Sequence, residues 1–167
     1  MNLVELANRE RELYEVVTSL QGTMEEKIKQ LKERGVFEEY RRIHQQYAQL
    51  HNQETEALKR GLFLTWYSTV EPPCFTGIKE LDSAAENQII STLDRQLEQG
   101  IIDYELDWML SYYANLEFAF ERFKGYESLQ KKLQNPPLEL PRHIDNEGML
   151  KRGQMGLYWN SLEVFNK

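Results

Sequence analysis

Ala57-Leu58-Lys59-Arg60-Gly61-Leu62-Phe63-Leu64-Thr65-Trp66-Tyr67-Ser68-Thr69-Val70 decides the fold, because its apolar side chains lie all round a helix instead of along one stripe. A helix of that kind has to be enclosed by others. Gly61 costs about 1 kcal/mol relative to Ala in a helix interior, so its presence predicts a neighbour that approaches closely. The helix is stopped by Glu71-Pro72-Pro73-Cys74-Phe75-Thr76-Gly77. The residue before a proline is pushed out of the α region, and neither proline offers an N–H.

Upstream, apolar residues stand at 13, 17, 20, 24, 28 and 31, with Leu3 and Leu6 before them, which predicts one striped helix over about 2–33. Gly22, followed by the capping-box pair Thr23 and Glu26, allows a kink at 22–23. Gly35 stops this arm. A second stripe runs through Val36, Tyr40, Ile43, Tyr47, Leu50 and Leu58, charge-covered to about residue 56 and continuing into 57–70. Two such arms joined at one glycine predict a long antiparallel hairpin over 2–56.

Downstream, Ser83 with Glu86 reads as a capping box for a helix over 83–98 closed by Gly100, and Asp103 as the cap of the next. Residues 103–124 carry Tyr104, Leu106, Trp108, Met109, Leu110, Tyr112, Tyr113, Leu116, Phe118, Phe120 and Phe123 on nearly every face, which predicts a central helix ended by Gly125. A short amphipathic piece over 126–134 should stop at Asn135-Pro136-Pro137. The stretch 138–167, with Pro141, Gly148, Gly153 and Gly156, predicts an irregular tail that packs back through its aromatics, with a last helical turn or two near 156–165.

Composition agrees. Of 167 residues, 22 are Leu, 22 Glu and 12 Gln against 14 Val plus Ile, so helix formers dominate. The expected fold is all-α: a single-domain helical bundle over 1–167, with hairpin arms at 2–56, a bundle core at 57–134 and the irregular tail at 135–167. One Cys, Cys74, excludes an internal disulfide and a multi-cysteine zinc cluster. No apolar run approaches a membrane span, and the first residues lack a basic stretch followed by an apolar one. The expected setting is therefore cytoplasmic, with no membrane partner.

Chemistry-bearing residues are few. His44 and His51 stand two turns apart, about 10 Å, so one metal ion cannot take both, and they read as solvated polar-face histidines. His51 with Glu54 reverses the Glu-x-x-His order of carboxylate-bridged bundles, and His143-Ile144-Asp145 is isolated. No His lies near Cys74 in sequence to hold a thiolate, so it reads as an inert thiol. Nucleophile-elbow, phosphate-loop and dinucleotide fingerprints are absent. Lys151-Arg152-Gly153-Gln154-Met155-Gly156 looks like a basic Gly-x-x-Gly loop, but no strands flank it and the chain is acidic, so it reads as a turn that brings Trp159 home. No cofactor, metal, catalytic residue or nucleic-acid partner is expected, and enzymatic activity is not favoured.

Charge is the one hint about partners. The net charge is -7, and residues 71–107 hold nine acids against Lys79 and Arg95, while the rest of the chain cancels. This predicts a partner-facing acidic surface, with Glu71, Phe75, Glu80, Asp82, Asp103, Glu105 and Asp107 as its residues. The expected function is a non-catalytic protein-interaction module, such as an inhibitor or immunity-type protein that captures a basic partner. Two alternatives follow from other segments: a ligand-binding or enzymatic bundle with its site in the aromatic core near Trp108 and Tyr112, and a structural homodimer through the 2–56 hairpin.

Overall fold

A computed structural model describes residues 1–134 and 139–165. The fold is all-α, and no strand occurs among the described residues. The helices are α1 (Leu3–Ser19), α2 (Met24–Glu33), α3 (Val36–Leu50), α4 (Thr55–Val70), the single turn α5 (Pro73–Thr76), α6 (Ser83–Gln99), α7 (Tyr104–Tyr113), α8 (Glu127–Gln134), α9 (Asn146–Met149) and α10 (Gly153–Ser161). A 3₁₀-helix spans Glu117–Phe123 and a shorter one Glu163–Phe165.

α4 is the hub. Every residue from Ala57 to Trp66 is buried, and the helix packs against α3, α6, α10 and the first 3₁₀-helix. Gly61 is where α6 crosses: a Cβ there would stand 2.6 Å from Ile89 Cδ1 and 3.3 Å from Tyr47 Cβ. The close neighbour that the glycine implies is present.

The N-terminal arms differ in detail from the expected hairpin. The first arm breaks at 20–23, where Thr23 and Glu26 form the capping box that starts α2. The second arm ends at Leu50, not near 56, and the chain turns back through His51–Glu54. Contacts then pair His44 with Thr65 and Tyr47 with Gly61, so α3 and α4 run antiparallel. The physical reason lies in α4: continued straight from α3, its all-round apolar surface would stand in water, whereas folding back buries it.

The same turn corrects the reading of the histidines. α4 covers the side of α3 that carries His44, which is fully buried, and His51 is only 9% exposed. Neither is solvated.

Two further helices depart from expectation. The N-cap of α6 is Asp82, which accepts from Ala84 N–H at 2.8 Å, and Glu86 is thereby free to pair with Arg122. The long helix over 103–124 is two pieces. α7 ends at Tyr113, and the 3₁₀-helix sets Phe120 and Phe123, three apart, on one buried face. Trp108 remains in the core at 3% exposure, edge-on to Trp159. The expected stop at 135–137 lies outside the described residues. Beyond it the tail packs back as expected and is more helical: α10 lies against α1 and α4, and Trp159 and Phe165 are buried.

Candidate binding site

The structure distributes the seven candidate residues among separate neighbourhoods. Asp103, Glu105 and Asp107 open α7, where the acids complement the helix dipole and Asp103 accepts from Leu106 N–H at 2.8 Å. Each also meets a cation from elsewhere. Lys59 of α4 donates to Asp103 at 2.7 Å and lies 3.0 Å from Glu105. Arg152 grips Glu105 with two nitrogens, at 2.5 and 2.9 Å, and Glu56 with two, both at 2.7 Å. Lys132 of α8 pairs with Asp107. Burial alone would lower the guanidinium of Arg152, and the two carboxylates together outweigh it and hold the group well above its ordinary range. The basic loop at 151–156 therefore serves as an internal clamp.

Asp82 is bound to Gln45 at 2.7 Å besides capping α6, and these hydrogen bonds hold its carboxyl below the usual range. Among the remaining acids of 71–107, Glu86 meets Arg122 at 2.6 Å and Asp94 accepts from Leu129 N–H at 2.8 Å. Four of the nine acids that read as an acidic face along the chain, Glu86, Asp103, Glu105 and Asp107, thus meet cations that the sequence places at 59 and 122–152.

Glu71, Phe75 and Glu80 behave differently. All three are exposed. Phe75, on the turn α5, is half exposed with Lys27 Nζ 5.9 Å from its ring centre. Glu80 lies 4.0 Å from Lys79, and its backbone carbonyl accepts from Arg41. Glu71, at the C-terminus of α4, has no ion-pair partner among the described residues.

The most perturbed carboxyl is one that sequence reasoning missed. Glu10 of α1 is buried, and desolvation raises it to about 7 even though Tyr47 donates to it at 2.7 Å and Arg60 attracts it. Such a value suits acid-base work, but Gly153 packs directly on the carboxylate: a Cβ there would overlap Oε2. At 1% exposure it meets no substrate. His44 is equally enclosed, and burial lowers it to about 4. The Thr65 hydroxyl donates to Gly61 O at 2.9 Å, so it accepts from His44 Nε2 and fixes the neutral ring in that tautomer. Among the described residues no group of three or more His, Cys, Asp or Glu is arranged to hold a metal ion, and no helix is long and apolar enough to cross a membrane.

Two cavities border these acids. One, of about 300 Å³, opens between Trp108, Ile144, Met149 and His143, and the charges that line it are engaged, Glu105 with Arg152 and Asp145 as acceptor from Gly148 N–H. The other, of about 240 Å³, is lined by Trp66, Tyr112 and Tyr158 with Val70, Leu116, Asn115 and Glu71. Trp66 comes from the last turns of α4, Tyr112 from the end of α7 and Tyr158 from α10. The two tyrosine hydroxyls share a hydrogen bond of 2.5 Å. Burial raises Tyr67 and Tyr158 above their ordinary value, and the Glu71 charge adds to the rise at both. Compared with protein-family models, curated proteins and solved structures, the chain matches none.

Proposed function

We propose that this protein is a non-catalytic interaction module, of inhibitor or immunity type, that captures a basic protein partner in a cytoplasmic setting. The observation that carries the reading is the division among its acids: those of α6 and α7 largely meet internal partners, whereas Glu71 and Glu80 stand exposed on one connecting stretch with the half-exposed Phe75 between them. Exposed charge with an apolar residue amid it steers and then anchors a partner of opposite sign. The single buried thiol fits a reducing compartment. The homodimer alternative has less support, because Leu13, Val17, Leu20 and Leu31 of the hairpin stripe are buried within the chain. The ligand-binding alternative is favoured by the aromatic cavity beside Glu71.

The test is capture of a basic partner at low salt, identified by mass spectrometry and then measured as purified protein. Glu71→Lys with Glu80→Lys should slow association and flatten its salt dependence, while the matched exposed pair Glu25→Lys with Glu127→Lys should change little. Equal effects of the two pairs would leave 71–80 an ordinary solvated turn and overturn the reading.

A further inference from the structure

We propose that the cavity walled by Trp66, Tyr112 and Tyr158, with Glu71 exposed at its rim, binds an alkylated ammonium cation. The three rings stand nearly perpendicular to one another, at 68°, 70° and 70°, with centroids 5.5–6.0 Å apart, so they form a corner. Aromatic faces carry negative potential, and a cation within about 6 Å of a ring centroid is attracted to it, most strongly over Trp. Elsewhere the protein shows what its rings do with cations: Phe37, Phe75 and Phe123 hold Lys79, Lys27 and Arg122 at 5.9, 5.9 and 4.5 Å. At the corner no cation of the described residues takes that place, although a carboxylate stands beside it.

Two features select the kind of cation. The volume, about 240 Å³, lies below the roughly 300–1,000 Å³ of pockets for drug-sized ligands and suits a head group of a few heavy atoms. Inside the aromatic corner acceptors are few, because the Tyr112 and Tyr158 hydroxyls are bonded to each other and Val70 and Leu116 are apolar; the polar lining residues Asn115 and Glu71 are both exposed, at the mouth. A primary ammonium or a guanidinium would leave N–H groups unpaired on entry, which is costly. An alkylated ammonium spreads its charge over methyl groups and has few or no N–H groups to satisfy. Burial, with the Glu71 carboxylate adding to it, raises Tyr158, so its hydroxyl stays neutral, and Glu71 is the one charged residue among those that line the cavity.

The proposal rests on the preceding reading in one respect, that Glu71 is available to a ligand. It is tested on the full chain by following the three indole N–H resonances, with Trp66 assigned through Trp66→Phe, during titration with choline and with its neutral isostere 3,3-dimethylbutan-1-ol. The Trp66 resonance should shift saturably with choline, and the alcohol should bind at least about fivefold more weakly. Glu71→Gln should weaken choline by about three- to tenfold and leave the alcohol unchanged, while the exposed control Glu98→Gln should do neither. A peptide carrying trimethyl-lysine that binds more tightly than choline, and than its unmodified form, would identify the source as a protein side chain. Equal affinity for choline and that peptide would identify a free small molecule. Equal binding of choline and the alcohol, or an unmoved Trp66 resonance up to about 50 mM choline, overturns the proposal. Failure of salt-dependent partner capture with choline binding intact would remove the basic-partner reading alone.

Discussion

The start of α7 and the end of α4 are both acidic in sequence, and they are opposites in the folded chain. Asp103, Glu105 and Asp107 face Lys59, Arg152 and Lys132, so their charge holds four elements together. Glu71 has solvent on one side, an aromatic cavity on the other and no described cation within ion-pair distance. The difference teaches that a local excess of one sign becomes a surface only where the fold supplies no counterion. The cations that neutralise α7 come from 44 to 46 residues away on one side and 25 to 47 on the other, too far for a window of sequence to reveal.

Reversing charge at the two places should separate them by the largest margin. Glu105→Lys sets a third cation beside Lys59 and Arg152, whose side chains are 9% and 15% exposed, and should cost about 3–5 kcal/mol in urea unfolding. A loss below about 1 kcal/mol would show the cluster to be as solvated as an ordinary surface pair.

The buried acid and the buried imidazole sharpen the comparison through pH. Glu10 titrates near 7 in the folded chain against 4.5 ordinarily, so its contribution to stability is complete below 4.5 and is lost as pH rises through 7. His44 titrates near 4 against 6.5, so its contribution is present above 6.5 and is lost as pH falls through 4. Between these limits the two slopes oppose. Glu10→Gln should expose the His44 slope, up to about 1.4 kcal/mol lost per pH unit on acidification from 6.5, and His44→Gln should expose the reverse. Unfolding midpoints at pH 5, 6, 7 and 8 measure both. Unchanged profiles in both variants would mean that water reaches these groups.

The smallest effect belongs to Glu71. Glu71→Lys should alter stability by no more than about 0.5 kcal/mol, because nothing described pairs with it. A thermal scan that shows a larger loss would reveal an internal role for this carboxylate and would erase the contrast with α7.

Much of the fold is legible in the sequence where a local signal exists. Thr23 with Glu26, Asp103 and Gly100 bound their helices as their chemistry predicts, and Gly61 marks the crossing of α6. The turn at 51–54 is not legible, since His51-Asn52-Gln53-Glu54 holds neither glycine nor proline and tertiary burial of α4 sets the break. The split after Tyr113 is similar: an all-round apolar run fits one long helix as well as two shorter pieces. Of the candidate site, Glu71 and the aromatics Trp66 and Tyr112 stand out in sequence, but Tyr158 joins them across 46 and 92 residues, a meeting that no local spacing encodes.

The packing of Gly153 and Gln154 on Glu10 has a consequence for the order of events in synthesis. α1 emerges before α10, yet the backbone that encloses its carboxylate belongs to α10, which leaves the ribosome about seven to thirty seconds later at ordinary elongation rates. During that interval Glu10 is hydrated and ionised, and the apolar stripe of α1 lacks part of its cover. Docking of α10 is then the step at which water is stripped from the carboxylate, so α1 is made before α10 and locked only with it.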